Sequence, residues 1–455
     1  MKRLSTRVAA PARPDAAGIV HLGLGAFHRA HQAVYTEDAM RVTGDRGWGI
    51  IGVTQRSDRV RRQLEPQDNL YTVLERGEGA AAPRVVGALS GVVDGEAVPG
   101  LLARPSIQVV TLTVTEKGYR HDPATGELDL TDPGIAADLT GRQSKTVVGQ
   151  LVHGLQRRAG GPPITLLCCD NLAGNGAFLC GLVLSFCAAA GLDSLTTWIE
   201  DNVRFPASMV DRIAPATTEV DRREAEDRLG YRDEALVVTE PFSQWVIEDD
   251  FAAPRPAWER VGAVLAKDVE PWERLKLRVL NASHSMLAYF GLLLGHESIA
   301  DAVRDPVLRQ ACLGMIAEDV LPVLRPPSEV DVEDYAHTVL ARFANPALRH
   351  TTAQVASDGS QKLGPRLLGT VADLRAAGRS PRWIPFVIAA WLRHVATDAL
   401  RDPLAAELRA AASPLDVRRI FPDDAAFRDQ VMAAHTRLTA ADPRAVLREV
   451  LDERG

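Results

Sequence analysis

Four runs of continuously apolar residues, 18–23, 48–54, 107–115 and 163–169, the third of them largely β-branched, are separated by stretches with helical periodicity. Apolar and polar residues do not alternate along these runs, as expected of strands covered on both faces of a parallel sheet. Strands alternating with helices predict a doubly wound, mostly parallel α/β sheet. Beyond about residue 270 the pattern changes. Segments 275–295, 300–324, 331–343, 383–400 and 441–452 all read as helices, and no further strand of comparable strength appears. A chain of 455 residues exceeds one ordinary core. The expectation is an α/β domain over 1–267 and a mainly α-helical C-terminal domain over 268–455. Residues 1–17 read as a mobile lead-in.

The first strand ends in Gly23-Leu-Gly25-Ala26-Phe27-His28 and runs into a helix extending to about Met40. This is the start of a Rossmann dinucleotide fingerprint, in which glycines allow a tight turn and close approach of a pyrophosphate to a helix N-terminus. The third glycine is missing, and His28 stands in its place. The second strand should end in an acid that binds the ribose hydroxyls of NAD. Here it ends Thr54-Gln55-Arg56-Ser57-Asp58. Arg56 suits a 2′-phosphate and Asp58 suits a ribose, so NAD is expected with NADP left open.

With a formal net charge of −7 and dispersed arginines, nucleic acid is not the expected partner. The five cysteines form no Cys-x-x-Cys and suit free thiols in a reducing cytoplasm. The N-terminus lacks the apolar core of a signal peptide. The longest apolar run, 176–192, is short for a membrane span and reads as a buried helix. His28 and His31 share a helix face, but no further ligand set joins them, so no metal is expected.

The stretch 271–284 carries Glu273, Lys276, Asn281 and His284 on a largely apolar helix. At α-helical spacing, with Lys276 at zero, Glu273 falls near roughly 60°, His284 near 80° and Asn281 near 140°. A helix apolar nearly all round is buried. A lysine there must find a partner or lower its pKa, and a lysine of lowered pKa is a general base near neutral pH.

Further motifs are Thr113-Val-Thr-Glu116-Lys-Gly-Tyr119, Cys169-Asp-Asn171-Leu-Ala-Gly-Asn-Gly176, Ser208-Met-Val-Asp211-Arg-Ile213, Arg342-Phe-Ala-Asn-Pro346 and Asp358-Gly-Ser-Gln-Lys362. With the glycine turn and the 276–284 helix, they resemble the polyol-specific long-chain dehydrogenases. That family includes mannitol 2-dehydrogenase, fructuronate reductase (mannonate oxidoreductase), tagaturonate reductase and arabinitol dehydrogenase. The resemblance implies metal-independent hydride transfer between nicotinamide and a polyol or aldonate and its keto form. The pair is of the D-mannonate/D-fructuronate or D-mannitol/D-fructose type, with arabinitol or tagaturonate chemistry as the alternative within the family. It implies Lys276 as general acid–base, Asn171 and Asn281 as donors to the developing alkoxide, His284 as a substrate-orienting partner and Glu273 as a proton relay. It assigns Asp211 and Lys362 to the substrate, and Gly23, Gly25, Ala26, Phe27, His28, Arg56 and Glu116 to the cofactor. Gln354 stands where some mannitol 2-dehydrogenases carry an arginine contacting the polyol, a departure that points toward the fructuronate reductase side. A monomer is implied. A catalytically silent nucleotide-binding sensor on the same fold is the competing reading from outside enzymology.

Overall fold

The computed structural model describes residues 2–55, 57–122, 125–141, 144–421 and 423–453, and the chain divides after Glu270 into two units. In the first unit six described strands form one sheet: β1 (Ala17–Leu22), β2 (Gly49–Thr54), β3 (Leu89–Asp94), β4 (Val109–Leu112), β5 (Ile164–Cys168) and β6 (Val203–Arg204). Their order is β3-β2-β1-β4-β5-β6, and every neighbouring pair is parallel. The order reverses between β1 and β4, the switch point where doubly wound sheets open a crevice beyond the carboxyl ends of their strands.

Every residue of β2, β4 and β5 is buried, which is why these strands read as unbroken apolar runs. Leu22, Val110 and Leu166 pack on one side with Val148, Leu151, Leu179 and Phe186. Ile19, Ile50 and Val109 pack on the other with Tyr35, Trp245 and Trp258. Each fully buried side chain of this size contributes roughly 1.5–3 kcal/mol. The doubly wound fold expected from the sequence is the one observed.

Several local expectations are corrected. The lead-in is tied down: Lys2–Arg3 pairs in parallel with Tyr231–Arg232, and Leu4 is buried against Leu70 and Tyr231. A long-range partner supplies that order, so no local periodicity announces it. The helix expected to run to Met40 is broken into α1 (Ala26–Ala30) and α2 (Gln32–Thr43). At the break His31 takes φ −123°, ψ −91°; its ring packs on Phe27, Tyr35 and Trp245, and its Nε2 pairs with Gln244 O at 2.9 Å. The run expected as a strand over 107–115 pairs only over Val109–Leu112, and 113–119 turns away. The apolar run at 176–192 lies mostly in α4, spanning Asn175–Ala189, with α3 (Val147–Arg158) preceding it. α4 is only half covered, because Ala177, Gly181, Ala188 and Ala189 are exposed. Short strands in two smaller three-stranded sheets, 208–211 with 244–248 and 264–266, and 71–75 with 84–86 and 237–239, carried no comparable sequence signal.

The second unit is helical in its described residues, apart from an isolated bridge between Ser298 and Thr351. Its centre is α5 (Ala282–Leu294), buried at every position from Ala282 to Gly291. Packed against it are Ile299–Arg304, Thr352–Ala356 and α6 (Ile384–Val395). The expected single helix over 300–324 is instead Ile299–Arg304, Pro306–Met315 and a wider turn over Ile316–Val320. Pro306 starts a helix better than it continues one. The expected α-helix over 275–295 is likewise interrupted: 276–281 is a π-helix. A third π turn covers Gly364–Leu368. The 276–281 turn packs on both of the others. Asp319, inside the 316–320 turn, accepts from the N–H of Arg382, Trp383 and Ile384 at 2.7, 2.8 and 2.8 Å, so one turn caps the start of α6.

Candidate active site

In the first unit the switch point is built around Gly23. Its φ is +95°, and a Cβ there would stand 2.2 Å from Thr113 O. Only glycine allows that crossing. A Cβ on Gly25 would meet nothing nearer than Gly23 O at 3.6 Å, so this glycine leaves open space above the turn. The substitution of the third fingerprint glycine has a physical reason. His28 is fully buried and stacks on His21 with ring centroids 3.4 Å apart, and this flat stack supplies the close helix–strand contact that glycine gives elsewhere. His28 thus lies beneath the turn, with its side chain in the core.

His21 sits in β1 and pairs through Nδ1 with Thr111 Oγ1 (2.8 Å) and through Nε2 with Thr113 Oγ1 (3.0 Å). The Thr113 hydroxyl spends its hydrogen on Gly23 O at 3.1 Å, so His21 donates from Nε2 and accepts at Nδ1. Burial pushes the His21 pKa down to about 3, which holds the ring neutral.

A cleft of about 380 Å³ opens here, lined among others by Gly23, Gly25, Thr54, Gln55, Thr113, Thr115 and Lys145. The N-terminus of α3 also reaches it, through Thr146 and Val147. Gln55 pairs with Gln150 by two amide hydrogen bonds, 2.8 and 3.2 Å, and borders a second hollow of about 870 Å³ with Asp94, Gly95 and Arg157. Asp58 pairs with Arg62 at 3.0 Å. Arg56 lies outside the described residues. Phe27 and Ala26 are half-buried in α1, and Phe27 stacks on His31. Glu116 is half-exposed, 3.7 Å from His121 Nε2. A glycine turn at the switch point and a helix N-terminus fit a dinucleotide.

Asp170 stands in the 169–176 motif, but its role emerges only from the structure. Its carboxylate accepts from Val114 N (3.0 Å), Thr115 N (2.9 Å) and the Tyr119 hydroxyl (2.7 Å). Thr115, at φ +67° and ψ 155°, occupies a region that costs a β-branched residue of order 1–3 kcal/mol. Asp170 holds this strained edge of the cleft in place. Burial raises its pKa and the three hydrogen bonds oppose that rise. Asn171 follows it, exposed, in the loop before α4. Asp211 ends the strand Ser208–Asp211 and is buried. The neighbouring Arg212 is engaged with Glu75 at 2.6 Å.

In the second unit, Glu273, Lys276, Asn281 and His284 are 8, 7, 6 and 9% exposed. The π-helix changes the angles between them. An i→i+5 turn inserts about one extra residue, so Asn281 moves from roughly 140° to roughly 40° from Lys276. His284, three α-helical steps further on, returns to within roughly 20° of Lys276. The four polar groups shrink from about 140° of arc to about 80°, a convergence α-helical spacing could not show.

Among the described residues Asn281 Nδ2 and His284 Nε2 are buried without a hydrogen-bond partner. The His284 ring stacks on Phe343 at 4.5 Å and meets His350 edge-on at 4.8 Å. Burial, with His350, Arg366, Lys362 and Arg342 nearby, keeps its pKa well below the usual imidazole range. Lys362 donates to Ser357 O (2.5 Å) and Val355 O (3.2 Å), and burial brings it down to about 8. The turn before it depends on Gly359, where a Cβ would stand 2.3 Å from Trp391 Nε1. Gln354 is exposed, and its side chain accepts from Thr351 N in a capping box. No group of three or more His, Cys, Asp or Glu side chains gathers in metal-binding geometry among the described residues.

Comparison with known proteins identifies the family. The family profile for the mannitol dehydrogenase Rossmann domain matches residues 17–260, and the one for the mannitol dehydrogenase C-terminal domain matches 268–420. The chain belongs to the mannitol dehydrogenase family of oxidoreductases. It is 42% identical to the D-mannonate oxidoreductase of Escherichia coli over 92% of this chain and 93% of that protein. It is 38% identical to a mannitol 2-dehydrogenase of Pyrenophora tritici-repentis over 90% of this chain and 76% of that one. The solved Pseudomonas fluorescens mannitol 2-dehydrogenase, in a ternary complex with NAD and D-mannitol, superposes with a TM-score of 0.88 at 35% identity. That match covers 99% of this chain and 100% of the solved one. No described helix is long and apolar enough to cross a membrane.

Proposed function

We propose that this chain is a metal-independent NAD(P)-dependent dehydrogenase interconverting a secondary alcohol of a polyol or aldonate with the corresponding ketone. The observation that carries this reading is the π turn, which gathers Glu273, Lys276, Asn281 and His284 on one buried face. Nicotinamide, when bound, supplies the two-electron chemistry. The glycine turn and the edge held by Asp170 receive the dinucleotide in the first unit. Lys276 Nζ takes the hydroxyl proton in oxidation and returns it in reduction, a step worth typically 10²–10⁴-fold. Asn281 Nδ2, a buried donor with no partner among the described residues, stabilises negative charge growing on the substrate oxygen. His284, held neutral by burial, donates or accepts one hydrogen bond to orient the substrate. Glu273, one turn before Lys276, relays the proton to solvent. Asp211 and Lys362 engage substrate hydroxyls.

NAD is the cofactor of the solved relative. Gln55 at the end of β2 supplies no carboxylate against a 2′-phosphate, so NADP is also accommodated. The test is to mix the purified protein with NADH or NADPH and a panel of keto-sugars and keto-acids, and to follow the reduced-cofactor absorbance. Turnover with at least one is expected. Cofactor binding without turnover of any would leave a nucleotide sensor instead.

A further inference from the structure

We propose that the substrate carries a carboxylate and that Arg366 binds it. This inference rests on the reading of Lys276 as the acid–base group of a sugar dehydrogenase. Arg366 lies in the π turn Gly364–Leu368, packed on the 276–281 turn. Its Nη1 donates to Ser285 Oγ at 3.0 Å and to Asn281 O at 3.4 Å, which places the guanidinium beside the residue that would hold the substrate oxygen. Both acceptors are neutral. No carboxylate pairs with Arg366 among the described residues, while Arg278, on the adjoining turn, has Asp373 at 2.6 Å.

A guanidinium offers five N–H donors in a fixed fork. Arg366 commits only one nitrogen, leaving Nε and Nη2. Arg366, Lys362, Arg342 and His350 all lie close enough to act on His284. The acids facing Lys362 are Asp358 and Asp402. Asp402 is occupied by Ser360 N (2.8 Å), Ser360 Oγ (2.5 Å) and Leu404 N (2.9 Å). A sheltered cation without an acid is costly. A neutral polyol supplies no charge to offset it. A carboxylate does, through the two-pronged geometry that arginine matches and lysine does not. The ligand class is therefore an aldonate or its keto-acid rather than an alditol or ketose.

The experiment compares aldonate and alditol pairs differing only in one terminal group, D-mannonate against D-mannitol and the equivalent glucose- and galactose-derived pairs. The full-length protein is assayed with both cofactors. The expected kcat/KM for the preferred aldonate exceeds that for its alditol by about 100-fold or more, the scale of a charge-assisted pair. Arg366→Gln collapses that ratio toward one, chiefly through KM for the acid. Arg366→Lys, retaining charge without the fork, recovers part of it. Wild-type protein that prefers alditols, or that turns over both equally, overturns the inference and leaves the Lys276 reading standing. Arg366→Gln lowering both substrates in equal proportion, with the ratio intact, also overturns it, because Arg366 is then a prop for the 276–281 turn. Failure to turn over any member of either class removes the dehydrogenase reading itself.

Discussion

Lys276 and Lys362 differ at the level of single atoms. Lys276 opens the π turn, on the same side as Asn281 and His284. Replacing it with Ala should lower turnover by about 10²–10⁴-fold while cofactor affinity stays unchanged. Steady-state rates and a cofactor titration by fluorescence decide this, and a Lys276→Ala protein with most of its activity would refute the assignment. Lys362 makes a pH prediction. Its ordinary value is 10.5; burial, reinforced by Arg366 and opposed by Asp358 and Asp402, brings it to about 8 in the folded chain. Between about pH 8 and 10.5 the unfolded chain therefore binds more protons than the folded one, so stability attributable to this group rises with pH across that window. Below it, the folded protein bears the whole cost of a sheltered ammonium. Lys362→Met should flatten the rise and stabilise the protein at neutral pH, as read from urea midpoints across the window. An unchanged slope would mean the amine is solvated.

Among the elements, the turn over 113–119 has the most to lose from one side chain. Asp170 satisfies two backbone N–H groups and the buried Tyr119 hydroxyl there. Leaving a buried donor unsatisfied costs about 1–3 kcal/mol. Asp170→Ala should cost at least a few kcal/mol in urea unfolding and weaken cofactor binding by about tenfold or more, because Thr115 is then free to leave its strained conformation. Normal cofactor affinity in a folded Asp170→Ala protein would show that the turn holds itself. The sequence showed Asp170 only as one member of the 169–176 motif. Nothing in that motif reveals that its carboxylate reaches from the end of β5 to the turn after β4, since that contact exists only once the parallel strands lie side by side. The same holds for the break at His31, set by Gln244 and Trp245 from more than two hundred positions away.

For the whole molecule, four of the six strands of the main sheet, β1, β2, β4 and β5, were legible as apolar runs, because burial on both faces removes the need for polar alternation. β3, with exposed positions, and the two-residue β6 were not, and the order came only from the structure. The smaller sheets were illegible for the converse reason: strands of three to five residues carry too little pattern. With no metal-ligating cluster among the described residues, extended dialysis against a chelator should leave turnover unchanged. Loss of activity restored by added zinc would contradict the proposed acid–base chemistry.

The amino-acid sequence alone settled what depends on neighbours along the chain: the glycine turn after the first strand, the α/β alternation giving way to helices, and membership of an oxidoreductase family carried by ordered motifs. These are local, since a missing Cβ or an apolar run acts wherever the chain goes. Only the tertiary structure decided the extra residue in the 276–281 turn, the stack of His28 on His21, the grip of Asp170 on Thr115, and the absence of a described carboxylate beside Arg366. The π turn and the grip of Asp170 involve partners far away in sequence, the His28 stack needs the first strand and helix to fold onto each other, and spacing along a chain carries no record of which surface will press against which.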